Sequence, residues 1–163
     1  MAIWQYLLIV VPEKSIEVDY QCIFKNNKTK YLPETESYWI HFDGDVSSII
    51  SKMDQIITRA SWGDETCMCW KSDVNNEDND SSICLNDDKT RIEEFQFRVD
   101  LRDSSNITNF LIPILEICQA NKLVLIDLKG EIHKPKIENL VTSIKASNAT
   151  AFLTDPIKYL GGL

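Results

Sequence analysis

Three groups of residues in this 163-residue chain have types and spacings that could do chemistry. The first is SDVNNEDNDSSIC, residues 72–84, with four acids, three asparagines, three serines and no base. A calcium loop of the EF-hand kind needs acids or Asn at positions one, three and five, Gly at six and Glu at twelve. A frame from Asp73 puts Asp78 at six and Cys84 at twelve, and one from Asn76 puts Ser81 and Asp87 there. Neither frame has the glycine that the sharp turn requires, so no calcium site is expected. The second group is Cys67-Met68-Cys69, whose thiols share one side of any strand. Zinc would want turn-spaced cysteines and a second pair. Only Cys84 is near in sequence, so these read as small strand residues. The third group is the two histidines, His41 and His133. Neither has a Ser, Cys or carboxylate at a spacing that marks a nucleophile's base.

Phosphate-binding and nucleophile-elbow signatures are absent, and five glycines leave few ways to build a phosphate cradle. The expectation is therefore a protein that is not an enzyme and that needs no cofactor and no metal. Five cysteines are an odd set without the density of a disulfide scaffold, and they fit a reducing, cytoplasmic setting. The opening IWQYLLIVV lacks the basic flank and the cleavage site of an export signal and reads as a buried strand. No run approaches the roughly 20 apolar residues of a membrane span.

Charge is the strongest remaining signal. The chain carries a net −8 with pI about 4.7, which argues against nucleic acid and anionic membranes as partners. From Asp64 to Asp88 eight acids face one base, Lys71, so this stretch holds nearly all of the net charge. They are Asp64, Glu65, Asp73, Glu77, Asp78, Asp80, Asp87 and Asp88. Trp62 and Trp70 stand beside them in sequence. Large aromatics next to one-signed charge have the makings of an interface anchor with a steering rim. These ten residues are the candidate partner-binding set.

The elements that must position them follow from periodicity. Continuous apolar character over 3–11 predicts a strand buried on both sides. Residues 16–24 read as a returning strand, and 25–36 as a loop. SYWIHF, 37–42, reads as a strand with Tyr38, Ile40 and Phe42 on one face and Trp39 and His41 on the other. Val46, Ile49, Ile50, Met53, Ile56, Ile57 and Ala60 keep helical spacing behind an Asp45 or Asp43 cap. Strands are expected at 66–71, 82–86 and 92–102. In the last, Phe95, Phe97, Val99 and Leu101 face one way and Glu94, Gln96, Arg98, Asp100 and Arg102 the other. A second helix carries Ile107, Phe110, Leu111, Ile114, Leu115 and Cys118, with Pro113 in its first turn or at a kink. Residues 123–127 form a short buried strand whose turn, DLKGE, folds back into IHK. A third helix starts near Pro135, and Asp155-Pro156 opens a closing helical turn ended by Gly161. The length suits one domain. From residue 37 the order matches a split βαβ pattern, which resembles the ferredoxin-like arrangement. The expected fold is α+β, an antiparallel sheet with helices on one face and an acidic hairpin insertion.

The chain resembles bacterial toxin-immunity proteins of the contact-dependent growth inhibition type in size, acidity and α/β layout. The look of FRVDLRD and of LIDLKGEIHKP before a closing helix carries that resemblance, across the second half of the chain. It implies a cytoplasmic, non-catalytic inhibitor whose partner is a cognate protein toxin, basic and often a nuclease. Two other classes stay open: a small-molecule regulatory domain with a concave apolar pocket, and an enzyme using Asp100 with His41 on the open sheet face.

Overall fold

The computed structural model describes residues 2–16, 36–72 and 77–161. Its centre is a seven-stranded sheet in the order β2-β3-β4-β5-β1-β6-β7, every neighbouring pair antiparallel. The strands are β1 (Gln5–Pro12), β2 (Arg59–Gly63), β3 (Cys67–Lys71), β4 (Asp80–Leu85), β5 (Ile92–Asp100), β6 (Leu123–Asp127) and β7 (Ile132–His133). The helices are α1 (Val46–Ile56), α2 (Ile112–Ala120), α3 (Ile137–Lys145), α4 (Asn148–Thr154) and α5 (Pro156–Gly161). The class is α+β.

All eight residues of β1 are buried, which its unbroken apolar run anticipates, because it lies between β5 and β6. Those two neighbours run parallel to each other with β1 between them, joined through α2. This is the split βαβ unit. The inner strands β4-β5-β1-β6 have the ferredoxin-like order, with the β2–β3 pair added outside β4 and β7 outside β6. The pattern begins at β1, however, and not at residue 37.

SYWIHF is not a strand. Glu36–Trp39 is a 3-10 turn closed by the Phe42 N–H donating to the Trp39 carbonyl at 3.1 Å. Its period of three puts Trp39 and Phe42 on the same side, where their rings meet edge to face at 5.1 Å. The alternation that suggests a strand would place them on opposite faces. Ile16 lies in a helical turn over 13–16, and the rest of the expected strand to residue 24 lies outside the described residues.

Tyr6, Leu8, Val10, Phe95, Phe97 and Val99 point to the side where the helices pack. Phe97 meets Phe110, just ahead of α2, at 6.2 Å, and Tyr6 bonds Ser143 of α3. Asp45 caps α1 by accepting the Ser48 N–H at 3.1 Å. Pro113, which has no N–H to give, sits at the start of α2 behind a π turn over Ile107–Leu111. DLKGE closes the β6–β7 hairpin, with Gly130 at φ 79° where a side chain would be strained. The other side of β1 and β6 is buried too, at Leu7, Ile9, Val11, Val124 and Ile126.

Two further departures concern side chains. Asp100, expected on a solvated face, is buried. Cys67 and Cys84 are directly opposite on β3 and β4 and joined as a disulfide, where free thiols were expected. Antiparallel register brings together two cysteines that lie 17 residues apart in sequence.

Candidate functional site

The acidic run forms the β3–β4 hairpin and its flanks, and the register divides it between the two ends of those strands. At one end the turns 64–66 and 86–91 lie side by side, tied by the Leu85 N–H to the Thr66 carbonyl. Asp64 builds the first turn. Its Oδ1 accepts the Thr66 hydroxyl and N–H, both at 2.7 Å, and the Cys67 N–H at 2.8 Å. These donors, the Thr66 hydroxyl foremost, hold its carboxyl below the usual range. Asn86 builds the second turn by accepting the N–H groups of Thr90 and Arg91, both at 2.9 Å. Glu65 pairs with Lys89 across the two turns, and Asp87 and Asp88 are exposed. The Arg91 side chain faces Glu36 and Glu93 instead. Trp62, on the edge strand β2, is 56% exposed. Four carboxylates against one ammonium leave this corner with three net negative charges.

The opposite end is a structural knot. Asp78 accepts the Trp4 indole N–H at 3.1 Å and pairs with Lys71. Asp80 pairs with Arg98, its cross-strand neighbour, at 2.9 Å and accepts the Gln5 amide, also at 2.9 Å. The buried Asn79 accepts the Asp100 N–H at 2.9 Å and donates to Asn106 at 2.7 Å. Asp100 in turn accepts the Asp78 N–H at 2.9 Å, the Arg102 N–H at 3.0 Å and the Arg102 guanidinium, down to 2.6 Å. Glu77 is half-buried beside this knot, and Asp73 lies outside the described residues.

Trp70 is fully buried. Its Nε1 donates to Asp54 at 2.9 Å, and the Arg59 guanidinium lies 4.6 Å from its ring centre. Helix-side burial on β3 makes it a core residue, so the two tryptophans do not form a surface pair. Nor do Asp100 and His41 meet. Asp100 is opposite Gln5 at the start of β1, while exposed His41 borders a recess with Pro12 at its end. At about 3.3 Å per residue, roughly 20 Å of β1 separates them.

A second polar cluster, on the helix side of β6, has no signature in the sequence. Asp127 accepts the Ser143 hydroxyl and meets His133 Nε2 at 3.1 Å, and the Tyr6 hydroxyl donates to Ser143 at 2.8 Å. The N–H groups of Lys129 and Glu131 donate to its other oxygen at 2.9 and 3.0 Å. Burial alone would raise the Asp127 carboxyl. The donors, Ser143 and His133 first, outweigh it and hold the group below the usual range. Burial pushes the Tyr6 phenol up to about 12. Tyr6, Ser143 and Asp127 border a recess of about 460 Å³ with Ile3, Leu7 and Tyr159. Only the DLKGE hairpin hints at this cluster, by placing Asp127 and His133 on adjacent strands. The contributions of Tyr6 and Ser143 come from long-range packing.

A pH dependence follows from Asp100. Burial raises its carboxyl, but Arg102 and the backbone N–H donors outweigh that, so its folded value lies below the ordinary one. A depressed folded value contributes stability above the unfolded pKa of about 3.9. The Asp100 contribution should therefore be constant from pH 7 to 5 and lost as pH falls below about 4. Urea midpoints against pH for the parent and Asp100→Asn check this: the two curves should converge in acid. Parallel curves down to pH 2 would contradict it.

No known protein family, curated protein or solved structure matches the chain. Among the described residues no helix is long and apolar enough to cross a membrane.

Proposed function

We propose that this protein is a non-catalytic inhibitor that captures a basic protein toxin, of the nuclease kind, at the corner formed by Trp62, Asp64, Glu65, Asp87 and Asp88. The supporting observation is the exposed Trp62 on an edge strand beside a corner with three unbalanced negative charges. A nuclease grips phosphate with Lys and Arg, and an array of carboxylates can occupy that surface in place of phosphate. The indole supplies apolar contact that a carboxylate cannot, and among the described residues β2 has no strand on its outer side, so strand addition can extend the interface. The knot at Asp78, Asp80 and Asp100 supports the hairpin and takes no direct part. In a cell the site of action is the cytoplasm, where the toxin would meet its substrate.

The test mixes the purified protein with the basic toxin domain encoded beside its gene. A stoichiometric complex and loss of toxin activity are expected, with Trp62→Ala raising Kd by at least about tenfold, a 1.4 kcal/mol loss. No complex at micromolar concentrations, or unchanged toxin activity inside a complex, would overturn the proposal.

A second reading has one observation in its favour. The recess of about 460 Å³ bordered by Tyr6, Asp127 and Tyr159 is large enough for a small ligand. A regulatory domain would then be stabilised against heat by a metabolite, and that stabilisation would be lost on filling the recess with Ala149→Phe.

A further inference from the structure

Among the described residues one group has metal-ligating side chains converging. Asp127, Glu131 and His133 each offer a ligand atom within 4.8 Å of the other two. The hairpin makes this geometry. The Asp127 N–H donates to the Glu131 carbonyl at 3.1 Å, which places these residues opposite each other where the β6–β7 ladder ends. His133 lies two residues beyond Glu131, on the same face. Turn and period thus point three ligands, two carboxylates and an imidazole, at one place.

We infer that Asp127, Glu131 and His133 form a binding site for a divalent ion of the zinc class. Three features carry this beyond mere proximity. The 3.1 Å between His133 Nε2 and Asp127 Oδ2 is a hydrogen-bond contact, and an ion with bonds of about 2.1 Å would replace its proton by opening it to about 3.4 Å, the edge of a tetrahedron. Asp127 is also prepared as a ligand. Backbone N–H groups fix one oxygen and the Ser143 hydroxyl orients the other, as outer hydrogen bonds do around ligating carboxylates. Finally, two carboxylates converge here, and among the described residues the only ion pair to either is the one between Asp127 and His133. Glu131 is thus left without a cationic partner among the described residues, and a dication supplies one. Three protein ligands leave one position open for water or a ligand group. Ser143 and Tyr6 then act as positioning residues, one bonded to Asp127 and the other to Ser143.

The site is separate from the acidic corner, so either can fail without the other. Chelator-treated protein is titrated with Co²⁺, a coloured stand-in for Zn²⁺, and then with Zn²⁺ in competition. One equivalent should bind with the visible absorption of a tetrahedral or five-coordinate ion. Glu131 is exposed, so Glu131→Gln should keep the metal-free melting temperature and lose at least roughly tenfold in affinity. His133→Ala should lose the visible bands. Three outcomes overturn the site: no stoichiometric binding, unchanged affinity in Glu131→Gln, or an intense near-ultraviolet thiolate band showing that cysteines hold the ion.

Discussion

Trp70→Ala is expected to lower the unfolding free energy by about 3–5 kcal/mol, the usual cost of deleting a large aromatic from a core. Trp62→Ala should stay within about 0.5 kcal/mol of the parent. The contrast arises because the two indoles, eight residues apart in sequence, meet opposite fates in the fold. Trp70 is sealed between the sheet and α1, in one buried cluster with Met53 and Ile83. Removing it leaves a cavity that the surrounding side chains fill only in part. It also strips Asp54 of the Nε1–H donor and Arg59 of the ring it lies over. Trp70→Phe should recover most of the loss, since it restores the ring but not the hydrogen bond. Equilibrium urea unfolding measures all three variants. If Trp70→Ala unfolds at the same midpoint as Trp62→Ala, the assignment of Trp70 to the core is wrong.

The second large effect is at Asp100. Asp100→Ala should cost about 3 kcal/mol, the scale for removing a charged acceptor from buried donors. The Arg102 side chain, 37% exposed, can turn to water, so its pairing contributes less than a fully buried one. The Asp78 N–H loses its acceptor as well, which loosens the segment that carries Asn79 and starts β4. Faster hydrogen exchange at Asp78 and Asp80 should therefore accompany the drop in stability, with little change at Leu85. A loss under about 0.5 kcal/mol, or exchange that rises equally along β4, would show that Asp100 does not hold the knot.

How much of this is legible in the sequence depends on whether the deciding contact is local. The alternation of Phe95, Phe97 and Val99 reports one strand's two faces, and Asp45 caps a helix three residues from its own position. Both features are written in neighbouring residues. The acidic run is a different case, because linear charge density says nothing of register. Pairing Cys67 with Cys84 and Lys71 with Asp80 folds the run in two, so that residues 64–65 and 87–88 share a corner while 77–80 go to the far end. The knot shows the same limit. Asp78 meets Trp4 across 74 residues and Asp100 across 22, and no short window along the chain contains both partners. The cluster at Asp127 is hidden for a further reason. Each of its members looks ordinary alone, a hairpin acid, a strand histidine, a helical serine and a strand tyrosine, and only the packing of α3 over β1 and β6 brings them together.

The proposed function rests above all on a basic partner arriving at the corner beside Trp62. The most direct measurement is the association rate constant with the basic toxin domain, by stopped flow at two ionic strengths. The proteins compared are the parent and a variant carrying Asp64→Asn, Glu65→Gln, Asp87→Asn and Asp88→Asn. The amide oxygen introduced by Asp64→Asn can still accept the turn's N–H donors, so the fold is kept. The parent should associate about tenfold or more faster at low salt, and the advantage should shrink as salt rises. Equal rates for the two proteins at both ionic strengths would contradict arrival at this corner.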